Sequence, residues 1–135
     1  MELTHPRGPQ SFCDILIVDD DPGLRSALEQ FLKRSGYLVQ SAADGRAALK
    51  RLEQLQVKLI ITDLFMPDFD GFELILHLRR AAANLEIVVM TGDGLSDLDV
   101  FLVAVRQLGV KHTLTKPFTL VQLLNVVQQS IGPAK

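Results

Sequence analysis

At 135 residues, 47% of them hydrophobic, the chain has the size of one domain and enough apolar content to bury its own core without disulfides or metal staples. Its formal net charge of -2, with lysines and arginines scattered rather than clustered, provides no electrostatic footprint for nucleic acid, and direct DNA binding is not expected. The single Cys13 excludes an internal disulfide and suits a reducing compartment, and no apolar run approaches the roughly 18 residues a membrane span requires.

In chain order, Met1 to Ser11 is polar, with two prolines and a glycine, and lacks the apolar core of a signal peptide. Residues 1–12 are expected to form a flexible N-terminal arm, on a protein of the cytoplasm, and residues 13–131 one domain. The first apolar run, Asp14 to Val18, reads as a strand and closes on Asp19, Asp20 and Asp21. Asp21 is placed to N-cap a helix that opens with Pro22, carries Leu24, Ala27, Leu28, Phe31 and Leu32 on one face, and stops before Gly36. A second strand is predicted over Tyr37 to Ser41, followed by a helix over Gly45 to Leu55 capped by Asp44. The third strand, Val57 to Thr62, closes on Asp63, and Asp70 caps a helix over Gly71 to Arg80. The fourth, Glu86 to Met90, closes on Thr91, with Ser96 capping Asp97 to Leu108. The fifth, Lys111 to Leu114, leads to Lys116 and Pro117, and Thr119 caps a last helix over Leu120 to Ile131. Gly132 to Lys135 is left as a C-terminal tail.

Short apolar runs bounded by turn signals suit strands buried on both faces of a parallel sheet. Repeated strand and helix units, joined by right-handed crossovers, put helices on both faces of such a sheet, so the expected class is α/β, a (βα)5 doubly wound fold. Open sheets of this kind bind ligands at the carboxyl edge of their strands. The acidic run, Asp63, Thr91 and Lys116 all fall where a strand ends, so all are expected at that edge.

A hard divalent cation such as Mg2+ takes one or two carboxylates, keeps several waters and shares phosphate oxygens. Asp20 and Asp63 suit that role. Phosphoryl transfer to a carboxylate yields an acyl phosphate, and its transition state needs positive charge and hydrogen-bond donors around the phosphoryl oxygens, which Lys116 and Thr91 would supply. Each residue alone has a plainer reading: a solvated charge run and helix cap, the end of a strand, a surface lysine. The coincidence of all of them at strand ends favours the site.

The segments ILIVDDDPGLR, ITDLFMPDFDG, VVMTGDG and TLTKPF resemble, in order and spacing, the motifs of the CheY-like receiver domain of bacterial two-component response regulators. The resemblance covers about residues 13 to 131 and implies a flavodoxin-like five-stranded sheet of order 2-1-3-4-5. It implies that Asp63 is the phosphoacceptor, that Asp20 binds Mg2+ directly, that Asp19 does so through water, and that Phe65 contributes its backbone carbonyl. Thr91 and Lys116 would hold phosphoryl oxygens, and the Lys116-Pro117 peptide would be cis. The phosphoryl group would come from a phosphohistidine on a sensor histidine kinase or phosphotransfer protein. The output would be a protein target or a homodimer, through a surface on the fourth helix, fifth strand and fifth helix.

Several positions depart from that pattern. Receivers usually carry Tyr or Phe three residues before the lysine, and here Thr113 offers no ring to move into or out of a cavity. Its neighbour His112, like His5 and His77, reads as an ordinary histidine, because no pair has metal-ligand spacing. Phe65 and Asp93, two residues after the acceptor and the threonine, would flank an acyl phosphate and set its lifetime. Gly92 leaves the phosphate unobstructed and, with Gly94, permits a switch segment. On the fourth helix Leu98, Phe101, Leu102 and Val105 share one face while Val100 and Val103 fall nearly opposite, where a partner would meet them. Two rival readings are a haloacid-dehalogenase-like phosphohydrolase, from the Asp19-x-Asp21 pair, and a binding-only pseudo-receiver. Turnover of phosphomonoesters would support the former, and absence of an aspartyl phosphate the latter.

Overall fold

The computed structural model describes residues 11–64, 71–81, 84–92 and 98–135, the side chains of 98–101 excepted. Strands and helices alternate throughout: β1 (Ser11–Val18), α1 (Pro22–Arg34), β2 (Val39–Ala42), α2 (Gly45–Leu52), β3 (Leu55–Asp63), α3 (Gly71–Ala81), β4 (Glu86–Thr91), α4 (Leu98–Gln107), β5 (His112–Thr115) and α5 (Leu120–Ile131). The strands form one parallel sheet of order β2-β1-β3-β4-β5, the flavodoxin-like topology expected.

The central strands are apolar on both faces because both faces are covered. Leu16, Val18, Ile60 and Val89 point to a core closed by Ala48 of α2, Leu74, Ile75 and Leu78 of α3, and Val105 of α4. Their alternate neighbours Ile15, Ile17, Ile61 and Met90 point to the other core, closed by Leu28 and Leu32 of α1 and Leu123 and Val127 of α5. Three of the predicted caps lie among the described residues. Asp21 accepts from the backbone N–H groups of Gly23 and Leu24, Asp44 from that of Ala47, and Thr119 forms a reciprocal capping box with Gln122. The Asp70 and Ser96 caps fall outside the described residues.

Several boundaries differ from expectation by one residue, β5 among them at His112–Thr115, and the larger differences come from pairing that local periodicity does not contain. β1 begins at Ser11, so Ser11 and Phe12, assigned above to the arm, pair with Leu55 and Gln56 of β3. Both side chains are exposed, so neither belongs to the buried apolar run that marks the strand in the sequence. The α2 helix stops at Leu52, and Leu55, which continues the helical period, is instead taken into β3 and buried. The second strand runs from Val39 to Ala42 because its register is set by Ile15 to Val18 of β1. Tyr37 lies before it, with its ring in the core and its hydroxyl donating to the Gly132 carbonyl at 2.8 Å. The C-terminal tail is thereby packed on the α1–β2 turn. Gly36, at φ +101°, makes that turn, and a Cβ there would meet the Ala134 methyl at 2.9 Å.

Candidate functional site

The strand ends are held level by hydrogen bonds that extend the ladder: Asp19 N–H donates to the Ala42 carbonyl at 3.3 Å, Leu64 to Met90 at 2.9 Å, and Lys116 to Thr91 at 2.7 Å. Asp19, Asp63, Thr91 and Lys116 therefore meet at one edge of the sheet. The residue after β5 reaches the site next to a cis Lys116-Pro117 peptide bond.

Asp19 is fully buried. Its Oδ1 accepts from Asp21 N–H at 2.9 Å, its Oδ2 accepts from Lys116 Nζ at 2.9 Å, and its backbone carbonyl accepts from Arg25 Nη1 at 2.6 Å. Asp63 is nearly buried and accepts from the same ammonium at 3.1 Å through Oδ2. Asp20 is exposed at the mouth. One oxygen from each of Asp19, Asp20 and Asp63 lies within 4.8 Å of the others, so the negative charges outnumber the single ammonium between them. Like charges so close repel, and a divalent cation with hard oxygen ligands suits the donor set. Asp21 stands apart: it is occupied as the α1 cap, which leaves the Asp19-x-Asp21 pair without a shared site.

Thr91 is 1% exposed, and its hydroxyl has no hydrogen-bond partner among the described residues. A buried hydroxyl left unpaired costs about 1–3 kcal/mol, so this threonine has an unfilled capacity to donate among the described residues. For Lys116 the largest single influence is burial, which lowers its pKa. The hydrogen bonds it donates to Asp19 and Asp63 and the charges of both carboxylates together outweigh it, and the ammonium sits above the ordinary lysine value.

Lys116→Ala would leave the buried Asp19 carboxylate without its counter-charge. We expect a loss of about 2–3 kcal/mol without metal, measured by urea unfolding. Mg2+ should bind as tightly or slightly more tightly, because the cation no longer competes with the ammonium. A lysine pKa raised by folding contributes stability that is full below the unfolded value and lost as pH rises through the folded one. The alkaline limb of the stability profile should therefore be flatter in Lys116→Ala, and an unchanged limb would exclude this ion pair as its source.

Other expected residues fall as follows. Gly92 is half-buried, and a Cβ there would meet nothing within 4 Å among the described residues. Phe65, Asp93 and Gly94 lie outside the described residues, as does the Val100 side chain. Val103 is 54% exposed on α4. Thr113 is half-buried on β5 and lines a cleft of about 540 Å3 with Lys116, Phe118, Gln122 and Val126. His112 is half-buried in the β5 ladder and His77 is exposed on α3.

Three supporting residues escaped the sequence reading. Arg25 holds the Asp19 carbonyl. Thr62 is fully buried and donates its hydroxyl to the Asp63 carbonyl at 2.9 Å. Gly71 opens α3 against the backbone of Asp63: its N–H donates to the Leu64 carbonyl at 2.9 Å, and a Cβ would overlap the Asp63 carbonyl oxygen. Thr62 was visible as the polar member of an apolar strand, and Gly71 as the glycine after a capping aspartate. Arg25 left no signal.

The chain is similar to known proteins in both sequence and fold. The family model described as "Response regulator receiver domain" matches residues 15–128. The chain is 32% identical over 123 residues to the DNA-binding transcriptional regulator NtrC of Bradyrhizobium sp. (strain RP501 Parasponia), covering 90% of this chain and 25% of that protein. It is 35% identical over 116 residues to an uncharacterized 14.6 kDa protein of Leptolyngbya boryana, covering 86% of this chain and 88% of that one. The chain thus spans about a quarter of the NtrC relative and most of the second. Among solved structures, a response regulator receiver protein from Pseudomonas putida superposes with a TM-score of 0.78 at 34% identity, over 93% of this chain and 99% of the other. The chemotaxis response regulator CheY4 of Vibrio cholerae does so with a TM-score of 0.78 at 29% identity, over 89% and 99%. With sheet order, acidic cluster and family match in agreement, the chain belongs to the response regulator receiver domains of two-component signalling.

Proposed function

We propose that this receiver is a Mg2+-dependent phosphoacceptor, labelled at Asp63 by a phosphohistidine of a sensor histidine kinase or phosphotransfer protein in the cytoplasm. The observation that carries the reading is the Lys116 ammonium shared by Asp19 and Asp63 beside the unpartnered Thr91 hydroxyl. An Asp63 carboxylate oxygen attacks phosphorus, the P–N bond of the donor breaks, and its electron pair leaves on the imidazole, giving an acyl phosphate. Lys116 turns its ammonium to a phosphoryl oxygen and Thr91 donates its hydroxyl to another, so fixed donors meet the charge that develops. Bound Mg2+ would neutralise phosphoryl charge, held by Asp63 and Asp20 directly, Asp19 through water and the Phe65 carbonyl. Phe65 and Asp93 set access of water to the acyl phosphate, and with it the rate of self-dephosphorylation. No turnover of small molecules is part of this function.

Incubation with Mg2+ and a small phosphodonor should yield a base-labile phosphoprotein, and chelation should prevent it. Absence of label with every donor would leave a binding-only domain. Asp20→Ala should weaken Mg2+ binding about tenfold or more and slow labelling. Unchanged affinity would point to another ligand.

The readout passes through Thr91. Moving toward the phosphate, it draws Gly92 after it and, along the chain, the amino end of α4, which changes the surface of α4, β5 and α5. Thr113 supplies no ring to add to the difference between states, so they lie close in energy and the response is graded. We expect measurable partner binding or self-association before phosphorylation and a modest gain after it. Val103→Asp should abolish association while Asp63 is labelled normally, as sedimentation with and without Mg2+ and beryllofluoride would show. Association equal to wild type would place the output elsewhere.

A further inference from the structure

Arg79 lies in the last turn of α3, half-buried, far from the carboxyl edge of the sheet. Its guanidinium serves backbone carbonyls of two distant segments. Nε donates to the Leu108 carbonyl and Nη2 to that of Gly109 at 3.4 Å, both in the turn that ends α4. Nη1 donates to the Leu85 carbonyl at 2.7 Å, at the entry to β4. Carbonyls at a helix end lack intrahelical donors and carry the negative end of the helix dipole, so a cation there is favoured twice. A planar fork of donors can serve several carbonyls at once, which a lysine ammonium on its flexible stem does not reproduce.

The turn itself is closed by Leu108 N–H on the Val105 carbonyl, Gly109 N–H on that of Arg106, and Val110 N–H on that of Val105. Val105 and Val110 are both buried in the core beside α3. The carboxyl end of α4 is therefore tied to α3 and to β4 by charge-assisted bonds and by packing. Its amino end follows β4 and Gly92 in the chain, and β4 ends on Thr91, whose buried hydroxyl has no partner among the described residues.

We propose that Arg79 is a positioning residue that anchors the carboxyl end of α4, so that the response to phosphorylation is a tilt of the helix about this fixed end. A helix held at one end converts a pull at the other into rotation, and a helix held at neither slides. The proposal rests on the receiver reading for the pull and on the Arg79 contacts for the pivot.

Amide hydrogen exchange of the full chain, with and without Mg2+ and beryllofluoride, tests it. In the wild type, the amides of Leu108, Gly109 and Val110 should exchange at the same rate in both states while those near Leu98 change. In Arg79→Lys, which keeps the charge and loses the fork, these three amides should exchange about tenfold faster without ligand. The beryllofluoride effect should then spread to them, with Mg2+ affinity unaltered. A wild-type response at Leu108 to Val110 as large as that near Leu98 overturns the pivot, as does wild-type exchange in the lysine variant. If that variant does not fold, the wild-type comparison decides by itself. If beryllofluoride alters no amide of the wild type, the receiver response is what fails, and the unliganded rates in Arg79→Lys still judge the anchor.

Discussion

Asp63→Asn is expected to give no base-labile phosphoprotein under conditions that label the wild type fully. The substitution is isosteric and keeps an oxygen able to accept from Lys116, which now donates to Asp63 at 3.1 Å. It removes the carboxylate oxygen needed to form an acyl phosphate, and an amide is no substitute as nucleophile. It also removes one of the charges crowded within 4.8 Å, so metal-free stability should be equal or higher while Mg2+ affinity falls. Intact-mass measurement after phosphodonor treatment reads the labelling, and urea unfolding shows that the variant is folded. Equal labelling of the variant would move the acceptor to another residue, with the exposed Asp20 the first to examine.

Gly71→Ala is expected to be the most damaging single methyl in the domain. At the start of a helix, alanine ordinarily improves on glycine by roughly 0.5–1 kcal/mol. Here the new Cβ would overlap the Asp63 carbonyl oxygen and lie 2.9 Å from both the Asp63 carbonyl carbon and the Leu64 Cα. All three are backbone atoms of the strand end that presents Asp63, so neither side yields without moving the site or the start of α3. A net loss of about 3 kcal/mol follows from overpacking of this kind, together with slowed labelling at Asp63. Gly92→Ala is the control, since its Cβ meets nothing within 4 Å among the described residues, and its stability should stay within about 0.5 kcal/mol of wild type. Denaturation midpoints of the two variants decide the matter: equal midpoints would show that the chain after Asp63 adapts freely.

The two expectations differ in how far sequence alone leads to them. Asp63 was legible because an acidic residue closing an apolar strand is informative when Asp19, Asp20, Thr91 and Lys116 close or follow others. Gly71 read only as the first residue of a helix, since its approach to Asp63 depends on how the chain returns to the sheet. Arg79 is one of two basic residues in the last turn of α3, and nothing near it in the sequence sets it apart. Its partners Leu85, Leu108 and Gly109 are backbone carbonyls, which carry no side-chain signature at all.

By itself, the sequence determined the alternation of strands and helices, the caps at Asp21, Asp44 and Thr119, and the gathering of Asp19, Asp63, Thr91 and Lys116 at strand ends. Those features depend on residues a few positions apart, where periodicity and local hydrogen bonds act. Tertiary structure alone decided the starts of β1 and β2, the early end of α2, the burial of Thr91, and the sharing of Lys116 between carboxylates 97 and 53 residues away. The physical reason is that ladder register and ion-pair geometry are set by which strands become neighbours. That order arises from crossovers of the whole chain, and no short window of sequence contains it.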